Sequence, residues 1–195
     1  MAENQETQNS RKKRVLSAVS TIALFLAVFG TVFYIHQNYS IISVSGYSMS
    51  DTLKDGDTVI IQEKPSLDRG DIIVFSRPDT FPQKSDNAPK TPSNMIKRIM
   101  GVPGDRLEIN GRNVYINGEN VMSANTDFLY RLGVDKETVH IDTVLVGFFA
   151  VGDNYRDSVD SLRVAYTKGE GFEVPKNLVV TGGKVIAKIP SLIGD

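Results

Sequence analysis

SGYSMSDTLKDGDTVIIQ, residues 45–62, sets a serine, Ser48, between a glycine-containing turn and a run of strand-forming residues. Gly46 permits a sharp backbone turn just before the serine. Asp55-Gly56 makes a second tight turn into TVIIQ, which reads as a short strand bounded by turn residues. Met49 and Leu53 are expected to face inward and anchor the loop between the two turns. DRGDIIVFS, residues 68–76, repeats the pattern, and such closely spaced apolar runs point to antiparallel strands. Asp57 and Asp71 each follow a glycine and open an apolar run, so both read as turn formers rather than catalytic acids.

On its own Ser48 reads as a turn serine. A serine hydroxyl becomes an effective nucleophile only when a neighbouring base takes its proton, so the rest of the chain decides the matter. The two histidines are poorly placed: His36 ends the N-terminal apolar segment, and His140 lies in the weakly patterned TVHIDT. Lysine is the better candidate. If NMIKRIMGV is a strand, Met95, Lys97 and Ile99 share one face while Ile96, Arg98 and Met100 share the other. Lys97 then projects among apolar neighbours, where desolvation disfavours the ammonium form. From this run alone a solvated surface lysine is the simpler reading. Arg98 keeps its charge in any protein environment and is expected in a structural ion pair.

Outward towards the N-terminus, residues 15–35 form 21 positions without a charge, close to the roughly 20 that span a hydrocarbon core as a helix. YIHQNYS follows in place of a small-x-small cleavage site, so the segment reads as a retained anchor. Arg11, Lys12, Lys13 and Arg14 precede it and are expected to stay in the cytoplasm. The expected organisation is a cytoplasmic tail over 1–14, a transmembrane helix over 15–35 and an extracytoplasmic domain over 36–195, a single-pass type II arrangement. The first ten residues read as a disordered tail. Four positive and two negative charges fall in residues 1–14, so with an overall charge of −1 the remainder carries −3. That balance offers no electrostatic case for nucleic-acid binding. The absence of cysteine excludes disulfides and thiol catalysis, including a sortase-type transpeptidase. No metal or cofactor is expected.

Further along, residues 77–93 are rich in Pro, Lys, Asp, Ser and Asn and read as an exposed loop. Asn110-Gly111 and Asn117-Gly118 suit the positive φ of hairpin turns and predict a β-meander. Residues 120–143 lack a consistent period and read as an insertion containing a short helix. VLVGFFAVGDN reads as a buried strand ending in a turn, NYRDSVDS as a polar loop, and VIAKI as a closing strand. The fold class is therefore mostly β: an N-terminal transmembrane helix followed by a single antiparallel, barrel-like sheet domain.

Four blocks in order, GYSMSDTLKDGDTVII, RGDIIVF, IKRIMGVPGD and GFFAVGDNYRDSVDS, resemble the type I signal peptidases of the bacterial, Gram-positive kind. With the anchor before them they cover most of the chain. The resemblance implies a membrane-bound serine endopeptidase that removes signal peptides from exported precursors, with Ser48 as nucleophile and Lys97 as base. It implies an oxyanion hole built from the serine's own N–H and, in many members, a hydroxyl two residues upstream, where this chain has Gly46. It further implies that Ser158 hydrogen-bonds the lysine and that Asp160 supports the site by ion pairing, with Arg98 as its candidate partner here. Implied partners are signal peptides, membrane lipid, and secretion or pilus assembly machinery. The chain departs from the family pattern at Asp51, where proline is usual, and at Tyr155 and Leu162, where arginines are common. These departures keep a second reading open, a signal-peptidase-like, non-catalytic assembly factor for surface pili.

The basic cluster before the uncharged span predicts that protease added outside intact spheroplasts digests residues 36–195 away from the anchor. Protection of that whole domain would reverse the topology.

Overall fold

The N-terminal run forms one helix, α1 (Ala2–Asn38), in the computed structural model, which describes residues 2–63, 66–82, 94–135, 139–179 and 183–189. Within it, Arg11–Asn38 is long and apolar enough to cross a membrane. The helix also runs back through residues 2–10, part of the segment expected as a tail without structure. Ala, Glu and Gln are good helix formers, and no Pro or Gly interrupts them. The chain divides into this unit, Met1–Tyr39, and a second, Ser40–Asp195.

The remaining elements follow in order: β1 (Tyr39–Ser43), β2 (Thr58–Gln62), β3 (Ile72–Ser76), β4 (Asn94–Gly101), β5 (Arg106–Asn110), β6 (Asn113–Ile116), β7 (Glu119–Ser123), α2 (Thr126–Leu132), β8 (His140–Val144), β9 (Phe149–Val151), a 3-10 turn (Tyr155–Asp157), α3 (Ser161–Lys168), α4 (Lys176–Val179) and β10 (Lys184–Ile189). Among the described residues the strands divide between a six-stranded sheet, β1-β2-β10-β3-β4-β9, and a four-stranded sheet, β7-β6-β5-β8. The pairings are antiparallel, as the short turn-bounded runs required. The domain is thus mostly β, with two sheets where the sequence suggested one. β10 inserts between β2 and β3, pairing Lys184 with Gln62 on one side and Ile73 on the other. Residues 83–93 of the loop expected over 77–93 lie outside the described residues.

Local sequence explains the second sheet. Asn117 (φ 53°) and Gly118 (φ 84°) form the two-residue turn between β6 and β7, both with the positive φ that such a hairpin needs. At the other Asn-Gly pair Asn110 faces Asn113, so the turn residues are Gly111 and Arg112, one position later than expected. Residues 120–143, where no period was legible, contain β7, α2 and β8. Helix α2 is started by Asn125, whose side chain accepts from Phe128 N at 2.8 Å, and is stopped by Gly133. Most buried side chains, including Phe75, Ile99, Leu107, Phe128, Phe149 and Leu162, form one core. A smaller cluster of Val44, Met49, Leu53 and Val59 lies under the Ser48 loop.

The two sheets are tied together at Asp105, between β4 and β5. Its carboxylate accepts from Arg69 Nε at 2.7 Å, Val102 N at 2.8 Å and Asn117 Nδ2 at 3.1 Å. Arg69 precedes β3 of one sheet, while Asn117 belongs to the β6–β7 turn of the other. Burial pushes the Asp105 carboxyl up, but the Arg69 guanidinium and the two N–H donors outweigh it and hold the group below its usual range. A depressed folded-state pKa contributes stability above the unfolded value and loses it as pH falls through the folded one. Asp105→Asn should therefore lower stability by about 1–3 kcal/mol at neutral pH. Its thermal midpoint should converge on that of the unsubstituted protein as pH falls below the ordinary carboxylate range and through the depressed folded-state pKa.

Candidate active site

Ser48 sits on a loop whose two ends are stitched together. Val44 N donates to Asp57 O at 2.7 Å and Gly56 N to Val44 O at 3.0 Å. Met49 and Leu53, at 1% and 3% exposure, fill the small core beneath, as expected of inward-facing anchors. Burial of two such side chains contributes about 3–6 kcal/mol towards holding the loop in place. After Ser48 the chain makes a helical turn, with Thr52 N and Leu53 N donating to Met49 O at 2.8 and 2.6 Å. Asp57 and Asp71 behave as turn residues: their carboxylates accept from Lys54 N at 2.7 Å and Asp68 N at 2.9 Å.

Strand period brings Lys97 to the serine. β4 pairs with β3 from Ile72↔Arg98 to Ser76↔Asn94, and Lys97 shares its buried face with Ile99 and Gly101. Lys97 is 3% exposed, and its Nζ lies 2.8 Å from Ser48 Oγ and 2.8 Å from the Ile96 carbonyl, to which it donates. The two residues are 49 positions apart in sequence. His140 lies in β8 of the second sheet, and no histidine lines the cleft around Ser48.

The segment after β9 grips the serine from the other side. Asn154 N donates to Ser48 O at 3.0 Å and Asn154 Nδ2 to Tyr47 O at 3.0 Å. Asp153 takes a bidentate pair from Arg98, Nε at 2.8 Å and Nη2 at 2.7 Å, and also accepts from the Thr52 hydroxyl. Burial alone would push the Asp153 carboxyl up, but Arg98, Thr52 and the nearby Lys97 bring it down. Arg98 therefore makes the expected ion pair, with Asp153 and not with Asp160. Asp153, Asn154 and Thr52 were missed in the sequence; the only signal was a polar GDN directly after a buried apolar strand.

Asp160 is fully buried and caps α3, accepting from Arg163 N at 3.0 Å and from Gly152 N at 2.9 Å. Burial pushes its carboxyl up against those bonds. Ser158 is also fully buried. Its hydroxyl is near enough to Asp160 to favour the carboxylate, yet Oγ makes no hydrogen bond of normal geometry, to Asp160 or to Lys97. The Ser158–Lys97 bond implied by the resemblance is thus not formed here. At Gly46 the backbone N–H is engaged by Asp55 Oδ1 at 2.8 Å. Ser48 N donates to no other group among the described residues, so it is available to an oxyanion.

A cleft of 530 Å³ runs past the pair, lined by residues 42–47 leading to Ser48 and by residues 94–96 of β4. β9 pairs with β4 only from Arg98 onward, so residues 94–97 have no strand on that side among the described residues. That is an open edge at which an extended peptide can add as a strand. A larger recess of 770 Å³, lined from residues 78–80, 140–143 and 169–178, contains none of these groups.

A family model described as signal peptidase, peptidase S26, matches residues 13–186. Signal peptidase I S of Bacillus subtilis (strain 168) is 30% identical over 163 residues, 78% of this chain and 80% of its own. A probable signal peptidase I-2 of Synechocystis is 33% identical over 178 residues, 83% of this chain and 73% of its own. Signal peptidase I of Leptolyngbya laminosa is 37% identical over 123 residues, 58% and 55% of the two chains.

Gly152 is where the two halves of the site press closest. A Cβ there would lie 2.5 Å from Ser48 O, a backbone atom, and 2.5 Å from Ser158 Oγ. Gly152→Ala should cost about 1–3 kcal/mol of stability through overpacking. It should also displace the serine enough to lower turnover by about 10²-fold. Purified variant protein with wild-type turnover would show that this contact does not set the position of Ser48.

Proposed function

The chain belongs to the signal peptidase family, peptidase S26, whose activity is removal of signal peptides from exported precursors, and we propose that Ser48 and Lys97 carry out the cut. The observation that carries this reading is the 2.8 Å contact between Lys97 Nζ and Ser48 Oγ at a lysine only 3% exposed. Lysine serves as a base only when neutral, and withdrawal from water favours that form. One amine N–H donates to Ile96 O, and in the neutral form rotation of the remaining N–H lets the lone pair accept from the serine hydroxyl.

The precursor lies along the open edge of β4 with its scissile carbonyl at Ser48. Lys97 takes the hydroxyl proton as Ser48 Oγ attacks the carbonyl carbon, and Ser48 N–H stabilises the resulting oxyanion. Collapse of the tetrahedral intermediate breaks the C–N bond, and Lys97 returns the proton to the departing amine. Water, deprotonated by the same amine, then hydrolyses the ester and restores the serine. The family resemblance implies small residues at the first and third positions before the cut. Arg98 and Asp153 hold the serine loop to β4, while Asp160 and Ser158 shape the wall behind Lys97. α1 anchors the enzyme with Arg11–Arg14 in the cytoplasm and the catalytic domain on the far side of the membrane, where signal peptides emerge.

None of the three departures from the family pattern touches the pair. Asp51 is exposed, Leu162 is fully buried in the main core, and Tyr155 packs edge-on against Phe128 with ring centres 5.3 Å apart. The non-catalytic reading draws no support from them.

Ser48→Ala and Lys97→Ala should each lower cleavage of a precursor by about 10³-fold or more with the fold retained. Lys97→Arg should fail equally, because a guanidinium keeps its proton. Near-normal cleavage by Lys97→Arg would reduce Lys97 to a positive charge and end the Ser–Lys mechanism, even in an active peptidase.

A further inference from the structure

Beside the catalytic cleft lies a second recess of 620 Å³ that the mechanism does not use. Three separate elements bring a guanidinium to it: Arg131 from the last turn of α2, Arg156 from the 3-10 turn and Arg163 from the first turn of α3. Its floor is apolar, with Phe128 at 1% exposure and Leu132 beside it. Among the described residues Asp157 is the only carboxylate that lines it, and its ion pair with Arg131 is loose, at 3.8 Å. Arg163 Nη1 reaches the Ser158 carbonyl at a long 3.4 Å. Arg156 has no hydrogen bond or ion pair among the described residues. Three positive charges around one negative leave a surplus of two on an apolar floor, an arrangement that like-charge repulsion opposes unless an anion joins it.

The recess opens into the cleft. Tyr47, Pro82, Asp157 and Val159 line both, and Tyr47, 66% exposed, is the residue immediately before Ser48. An extended peptide advances roughly 3.3 Å per residue. A chain whose scissile carbonyl sits at Ser48 and which passes over Tyr47 therefore brings a side chain into the arginine recess within a few residues of the cut. Guanidinium forks match carboxylates in bidentate geometry, and with Arg131 and Asp157 more than half exposed the pairing remains sensitive to salt.

We propose that this recess is a specificity subsite for an acidic residue of the precursor, Asp or Glu, held by Arg156 with Arg131 and Arg163. The inference rests on the peptidase reading above. It assigns no step of the chemistry to these arginines; they raise productive binding of precursors that carry a carboxylate at the matching position.

A set of peptides spanning one signal-peptide cleavage site, with Glu or Gln placed in turn at each position around the cut, tests it on the full-length protein. At one position, or two neighbouring ones, Glu should be preferred over Gln by about five-fold in kcat/KM. Affinity for the Ser48→Ala protein should show the same preference. Arg156→Gln should bring that ratio to about one by lowering kcat/KM for the Glu peptide, and high salt should narrow it likewise. A ratio near one at every position overturns the subsite, as does a preference that survives both Arg156→Gln and Arg163→Gln. Cleavage of no peptide at all would instead refute the peptidase mechanism, and the affinities for Ser48→Ala would still decide the subsite.

Discussion

A lysine amine held out of water against a serine hydroxyl is the constraint around which this domain is built. The amine stays in place because β4 places it: Lys97 alternates onto the buried face, and its Nζ is anchored on the carbonyl of its own neighbour, Ile96. β4 is in turn held by β3 along its length and by β9 from Arg98 onward. Any slip of one residue in that register would turn Lys97 to the opposite face. The sheet therefore fixes the position of Lys97 more tightly than a loop could.

The two carboxylates of the site are treated differently, and the difference bears on the amine. An ionised carboxylate with no other partner would favour the ammonium form of a nearby lysine. Asp153 keeps its charge but is matched by a bidentate Arg98. Asp160 is buried, and burial drives it towards its neutral form while its two oxygens cap α3 and bind Gly152 N. Both arrangements lower the negative charge that Lys97 meets without partner. They also fasten three chain segments, the Ser48 loop, β4 and the 152–154 turn, to each other.

The opening of the cleft follows from the same strand pairing. β9 is only three residues long, and because it stops opposite Arg98 it leaves the start of β4 open where the cleft lies. The segment after β9 then doubles back under Ser48, and α3 and α2 bring arginines to the far side of Tyr47. One short strand thus leaves the start of β4 unpaired on that side among the described residues and directs the residues that flank it.

Much of this was legible in the sequence wherever the governing interaction is local. Asn117-Gly118 specifies its turn because few other residue pairs take positive φ twice. The alternation in NMIKRIMGV placed Lys97 on the face of Ile99, and the uncharged run before residue 36 marked a helix able to cross a membrane. Ser48 and Lys97 could be paired only through a family resemblance, since nothing local joins residues 49 positions apart. What tertiary structure alone decided were the long-range partners: Arg98 with Asp153 instead of Asp160, Ser158 without a hydrogen bond to Lys97, Asp105 tying two sheets where one was expected, and three arginines in one recess. These depend on strand register and on the direction in which each loop returns. A charged residue offers the same pattern in sequence whichever partner it meets, so only the folded backbone can choose among them.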